Sequence, residues 1–245
     1  MTVLLLGGTG EARALAGRLV EAGVPVVNSL AGAVAPTTLP PGEVRIGGFG
    51  GTEGLAAYLR EQAIERVVDA THPFAARITE HAATACQAVG TPLLRLSRPS
   101  WLGRPDAATW RWVADLPAAR VAAEELGSRV FLSVGRQSAE QFTGWTDRYV
   151  LLRVVEPPAF PVPDTWEVLA ARGPFDLAAE RALLADRRIE VLVTKDSGGR
   201  HTAAKLDAAA VLGVPVVVVK RPPDPAGVTV VESVGEALGW ALAGR

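Results

Sequence analysis

Two Rossmann-like α/β domains on parallel sheets are the architecture this sequence predicts, with the site expected in the cleft between them. Three observations carry that reading. Short apolar runs, many of them valine-rich, alternate with alanine- and leucine-rich stretches of helical length. Runs of that kind suit strands buried on both faces, and the alternation suits parallel crossover units. The order of elements occurs twice, and 245 residues that are 49% hydrophobic suffice for two cores.

Taken in order, strands are expected near 2–6, 25–29, 43–47, 66–70, 92–96 and 109–113, with helices near 10–22, 52–63, 74–89 and 115–126. The second half restarts with strands near 129–134, 148–154, 166–171, 189–194, 215–220 and 228–231. Its helices fall near 136–142, 175–186, 201–212 and 234–243. Thr71, Gly90, Pro92, Arg98 and Pro99 return as Thr194, Gly213, Pro215, Arg221 and Pro222, each at an offset of 123 (194−71, 221−98). Helix–Gly–x–Pro–strand connectors recur in α/β proteins for turn chemistry alone. A turn does not need the Arg-Pro matches, so two related domains, 1–113 and 114–245, are the better reading.

The 25 basic and 26 acidic side chains nearly cancel, which argues against a general affinity for nucleic acid or anionic membranes. Cys86 stands alone, and three histidines lack a metal-pair spacing, so neither a disulfide nor a zinc site is expected. No apolar run approaches the ~20 residues of a membrane helix. Met1–Leu6 reads as a strand without a basic leader, which makes the cytoplasm the expected compartment.

Strand Val3–Leu6 runs into Gly7-Gly8-Thr9-Gly10-Glu11-Ala12-Arg13 and a helical pattern. A glycine turn there brings backbone N–H groups and a helix N-terminus to a phosphate, the physics of dinucleotide binding. The last position of the fingerprint is Arg13 rather than Gly or Ala, and a tight structural turn is the competing explanation. The second strand ends Val26-Val27-Asn28-Ser29 with no carboxylate for the ribose hydroxyls, which favours NADPH over NADH. Gly47-Gly48-Phe49-Gly50-Gly51 allows close backbone approach to a flat ligand, or mobility; Phe49 packs on a ligand ring or in the core.

The fourth strand delivers Asp69-Ala70-Thr71-His72-Pro73-Phe74 to the ligand-binding edge of the sheet. His72 is the candidate for proton transfer or a carboxylate contact, or it is a helix-start histidine satisfied by nearby backbone. Asp69 is read as structural. The equivalent loop of the second half, Thr194-Lys195-Asp196-Ser197-Gly198-Gly199-Arg200-His201, again opens a helix and favours an anion. Lys205, Gly135-Arg136, Lys220-Arg221 and Arg172-Gly173-Pro174-Phe175 share that rim. Any one cation is ordinarily solvated surface charge; the set at strand ends suits an anionic ligand. Ser197 lacks a nucleophile elbow, and no paired carboxylates suggest glycosidase chemistry.

Together these motifs resemble precorrin-6A reductases of cobalamin biosynthesis. The likeness is carried by Gly7–Arg13, Ser29-Leu30-Ala31-Gly32, Arg45–Gly51, Asp69–Ala75, Arg95–Trp101, Gly135-Arg136, Arg172–Phe175, Lys195–Gly199, Lys205-Leu206 and Lys220-Arg221-Pro222, spanning essentially the whole chain. The resemblance implies an oxidoreductase acting on a CH–CH group, with NADPH delivering hydride to C19 of precorrin-6A and a proton added at C18, giving precorrin-6B. It implies a coenzyme domain and a tetrapyrrole domain whose basic residues take the acetate and propionate side chains, and a transient contact with the next enzyme of the pathway.

Coenzyme contacts are then expected from Gly7, Gly8, Thr9, Gly10, Glu11, Ala12, Ser29, Gly48, Phe49, Gly50 and Thr71. Substrate contacts are expected from Arg136, Arg172, Lys195, Ser197, Gly198, Gly199, Lys205, Lys220 and Arg221, with His72 as the catalytic candidate. Ala33 stands where the family often has arginine. Asp196 stands where it often has asparagine, and would weaken carboxylate binding if it pointed inward. The alternatives are a cobalt-precorrin-6A reductase of the anaerobic route and a nucleotide sensor without turnover.

Overall fold

The computed structural model describes residues 1–32 and 39–243, with His201 described by its backbone alone. Ala33 lies outside the described residues. Twelve strands and eight helices are formed among them, each close to where the hydrophobic pattern predicts it.

In the first unit β1 (Val3–Leu6), β2 (Val26–Leu30), β3 (Glu43–Ile46), β4 (Arg66–Asp69) and β5 (Leu93–Leu96) alternate with α1 (Gly10–Glu21), α2 (Gly51–Glu61) and α3 (Ala76–Val89). All pairings are parallel, in the order β12-β5-β4-β1-β2-β3, where β12 is Thr229–Val231. Strand β1 shows why such strands are apolar without alternation. Val3 and Leu5 pack beneath α1, while Leu4 and Leu6 pack on the other face against Leu55 and Leu59 of α2. Helix α1 buries Ala12, Leu15, Ala16 and Leu19, the i, i+3, i+4, i+7 stripe of one helical face.

The second unit repeats this plan. Strands β6 (Arg111–Val113), β7 (Arg129–Ser133), β8 (Tyr149–Val154), β9 (Trp166–Ala170), β10 (Val191–Lys195) and β11 (Val216–Val219) form a parallel sheet in the order β6-β11-β10-β7-β8-β9. Its helices are α4 (Leu116–Glu124), the single-turn α5 (Arg136–Ala139), α6 (Leu177–Asp186) and α7 (Ala204–Leu212). Gly90 and Gly213 end α3 and α7 at φ 78° and 67°, the left-handed region that glycine enters without penalty. The carbonyls of Pro92 and Pro215 then accept from Val67 and Leu192 at 2.9 and 3.0 Å, so the sequence repeat is also a hydrogen-bonding repeat.

The boundary between units differs from the expected 113/114. The compact units are Met1–Pro99 with Pro222–Arg245, and Ser100–Arg221. Strand β6 follows β5 in the chain but pairs with β11; β12 follows β11 but pairs with β5. Each sheet thus takes its sixth strand, with α4 or α8 (Val234–Leu242) behind it, from the other half of the repeat. Both crossings fall at the repeated Arg-Pro pair, Arg98-Pro99 and Arg221-Pro222. Proline fixes φ and biases the preceding residue toward extended backbone, which suits a straight crossing. Among the described residues no helix is long and apolar enough to cross a membrane.

Candidate functional site

In the first sheet the strand order reverses direction between β1 and β4, and ligands of open α/β sheets bind beyond the carboxyl ends of the strands at that point. The loops expected to carry function stand there. Gly8 has φ 107°, a conformation that disfavours any side chain, and a Cβ on Gly8 or Gly10 would meet no atom within 4 Å. The backbone before α1 is therefore uncovered, the cradle a pyrophosphate needs at a helix N-terminus. Thr9 caps α1: its hydroxyl accepts from the Ala12 N–H at 3.1 Å and donates to the Ala70 carbonyl at 2.8 Å, joining the β1 and β4 loops. Ala12 is buried, so its contribution is backbone alone. Glu11 pairs with Arg98 at 3.6 Å, which offsets the negative charge that Glu11 brings to the first turn of α1.

Ser29 is buried, and its carbonyl accepts from the Gly7 N–H at 3.0 Å. The Asn28 side chain donates to the Pro41 and Glu43 carbonyls, which takes it out of ribose recognition. Strand β2 extends one residue further than expected, to Leu30, and Ala31 and Gly32 follow, so no carboxylate ends it among the described residues.

The Gly47–Gly51 loop is braced. Arg45 donates to the carbonyls of Gly47 and Gly48 at 2.7 and 2.6 Å, and its guanidinium lies 3.9 Å from the centre of the Phe49 ring. Phe49 meets Tyr58 edge-on at 5.1 Å. The ring of Phe49 is thus part of the brace. Burial, and secondarily Glu43, raises the Tyr58 pKa, with Arg45 opposing.

Thr71 is held from both sides. Its hydroxyl donates to Asp69 at 2.7 Å and accepts from Arg95 at 3.0 Å, and its N–H donates to Asp69 at 3.0 Å, so neither is open to a ligand. Asp69 also accepts from Thr79 at 2.7 Å and pairs with Arg95 at 2.8 Å, with both charged side chains buried. His72 is exposed, and its Nδ1 accepts from the Phe74 N–H at 3.2 Å, which places the proton of the neutral ring on Nε2.

The second sheet reverses between β7 and β10. Lys195 at the end of β10 donates to Ser138 Oγ of α5 at 2.5 Å, and burial lowers its pKa to about 8. Gly198 is at φ 66°, and Gly198 and Gly199 are buried beside the half-buried Ser197. Asp196 does point inward. It accepts from Ser100 Oγ at 2.6 Å, the Trp101 N–H at 2.8 Å and Arg221 Nε at 3.0 Å. Its charge is met by Arg221 rather than set against a ligand, and it gathers the segments at both chain crossings.

The basic rim is less uniform than the sequence suggested. Arg136 pairs with Glu156 at 3.2 Å, and Arg221 with Asp196. Arg172 and Lys220 are exposed. Lys205 stands inside the unit rather than on the rim. Its Nζ donates to the Thr202 carbonyl at 3.0 Å and lies 5.0 Å from the Trp101 ring centre. Burial, with Arg153 adding and Glu180 opposing, lowers its pKa to about 7.

Sequence reasoning passed over the buried Arg95–Asp69 and Arg153–Glu180 pairs. The signal for both was an arginine within an otherwise apolar strand, Leu94-Arg95-Leu96 and Leu152-Arg153-Val154.

A Precorrin-6A reductase of Mycobacterium tuberculosis is 52% identical over 239 residues, covering 97% of this chain and 96% of that protein. A Precorrin-6A reductase of Rhodococcus erythropolis is 49% identical over the same shares. The solved structure of a CobK precorrin-6A reductase superposes with a TM-score of 0.89 at 39% identity, covering 98% of this chain and 95% of the other. The Precorrin-6x reductase CbiJ/CobK family matches residues 2–242, and the chain belongs to that family.

Proposed function

We propose that this protein reduces a ring double bond of precorrin-6A to give precorrin-6B in cobalamin biosynthesis, with NADPH as the hydride donor. The observation that carries the reading is identity near one half, over almost the whole chain, to two proteins named for that reaction. The first unit is assigned the coenzyme. Gly8 and Gly10 leave the amides before α1 uncovered, and no carboxylate ends β2 among the described residues to repel a 2′-phosphate. The second unit is assigned the tetrapyrrole, whose acetate and propionate groups suit Arg136, Arg172, Lys195, Lys220 and the amides of Gly198 and Gly199, the Ser197 N–H being taken by the Lys195 carbonyl at 2.7 Å.

NADPH supplies the hydride from its nicotinamide C4. The chain's own part is to hold the two reactants at near-attack distance, a contribution of up to about 7–11 kcal/mol to lowering the barrier. His72 is assigned the proton that completes the reduction. It gives that proton as the imidazolium, charged from solvent with release of the Nδ1 contact to the Phe74 amide, because the neutral ring could give up Nε2–H only by becoming imidazolate. The test follows loss of reduced-nicotinamide absorbance with purified precorrin-6A and cobalt-precorrin-6A, each with NADPH and NADH. Consumption with NADPH and precorrin-6A is expected. NADPH bound but never consumed would make the protein a sensor, and preference for the cobalt substrate would move it to the anaerobic route.

A further inference from the structure

Arg153 and Val154 end strand β8, and both hold the loop that follows β9. The Ala171 N–H donates to the Val154 carbonyl at 2.8 Å. Four residues later the Phe175 ring centre lies 3.9 Å from the Arg153 guanidinium carbon. Between those anchors stand only Arg172, Gly173 and Pro174, and Arg172 is exposed. The guanidinium carbon also lies 4.8 Å from the Phe131 ring centre, so the cation has two aromatic neighbours.

Glu180 of α6 holds the guanidinium there through a hydrogen-bonded ion pair, with both side chains buried. The second oxygen, Glu180 Oε2, is buried without a hydrogen-bond partner. A buried ion pair is weak evidence for stability, because packed apolar residues of equal volume often do as well. An unsatisfied carboxylate oxygen makes this pair a poorer stabiliser still. What apolar replacements could not supply is a cation held by Glu180 while it lies over the Phe175 ring.

We propose that Arg153, oriented by Glu180, is a positioning residue that presents Arg172 to a carboxylate of the substrate. The inference rests on the assignment of Arg172 to the tetrapyrrole made above. Arg153 does not itself touch the ligand; it sets one end of a three-residue span whose other end hangs from the same strand.

The test is a double-mutant cycle on precorrin-6A reduction, reading KM and kcat for Arg172→Ala, Arg153→Met, Phe175→Leu and the paired variants. Arg172→Ala is expected to raise KM about tenfold, as for loss of one charge-assisted hydrogen bond, with kcat nearly unchanged. Arg153→Met and Phe175→Leu should each raise KM several-fold, and adding either to Arg172→Ala should change nothing more. Phe175→Leu leaves the ion pair whole, so it carries the test if Arg153→Met fails to fold. Additive effects, or an unchanged KM in both Arg153→Met and Phe175→Leu, would overturn the positioning role while leaving Arg172 on the substrate. An unchanged KM in Arg172→Ala would overturn the proposal together with the substrate assignment beneath it.

Discussion

Replacing Asp196 by alanine removes one buried carboxylate that gathers donors from both chain crossings. The Trp101 N–H, buried and donating at 2.8 Å, is left without its acceptor, at a cost of ~1–3 kcal/mol. Ser100 Oγ loses a bond of 2.6 Å, worth about 1 kcal/mol where water can replace the partner. Arg221 loses contacts of 3.0 and 3.3 Å, but its side chain is 18% exposed. Water therefore takes up part of its charge, and about 1 kcal/mol is assigned to it rather than the ~3–5 kcal/mol of a fully buried pair. The expected loss is about 3–5 kcal/mol for Asp196→Ala. It falls to about 1–2 kcal/mol for Asp196→Asn, which keeps an acceptor for Trp101. Five of the six tryptophans, Trp101, Trp110, Trp112, Trp145 and Trp166, belong to the second unit, so fluorescence during urea unfolding reports mainly on that unit. A loss below about 1 kcal/mol in Asp196→Ala would refute the claim that this carboxylate holds the crossings.

Two further substitutions test the assignments to each unit. Gly8→Ala forces a side chain onto φ 107°, costing ~1–3 kcal/mol of strain and placing a methyl group in the phosphate cradle. NADPH titration should show affinity reduced by about tenfold or more, and an unchanged Kd would remove the glycine loop from the coenzyme site. Lys195 loses its proton near pH 8 rather than 10.5, because burial disfavours the cation. If that cation holds a substrate carboxylate, kcat/KM for precorrin-6A falls as pH rises through about 8, and Lys195→Arg removes the fall. The stability sign is opposite. The cost of the buried cation is fully present below pH 8 and is relieved between about 8 and 10.5, so stability relative to Lys195→Met should rise across that window.

The strands were legible because a sheet covered on both faces writes itself as valine-rich runs, and the glycine that ends a helix as Gly-x-Pro. Gly90 and Gly213, predicted from a shared offset, occupy the same left-handed position in both halves. The exchange of sixth strands was not legible. Arg111-Trp112-Val113 and Thr229-Val230-Val231 read as strands, but nothing local in three residues says which sheet they join. That partner choice moved the boundary from 113/114 to Pro99 and Arg221. The glycine loops were placed correctly as loops, whereas the braces behind them were missed. Arg45 on Phe49, Arg95 on Thr71 and Arg153 on Phe175 are contacts between elements distant in the chain or across a turn, where periodicity carries no signal. Lys205 shows the opposite error: its place beside the glycine loop suggested the rim, while packing against Trp101 draws its amine into the core.

Hydride transfer from NADPH to a ring carbon of precorrin-6A is the step proposed for this chain. It is tested most directly by single turnover with NADPH deuterated at C4, followed by mass and NMR analysis of the tetrapyrrole. Deuterium on one saturated ring carbon of a dihydro product, with one NADPH oxidised per ring, is the predicted result. An unlabelled product, or NADPH left unoxidised with precorrin-6A in excess, would contradict it.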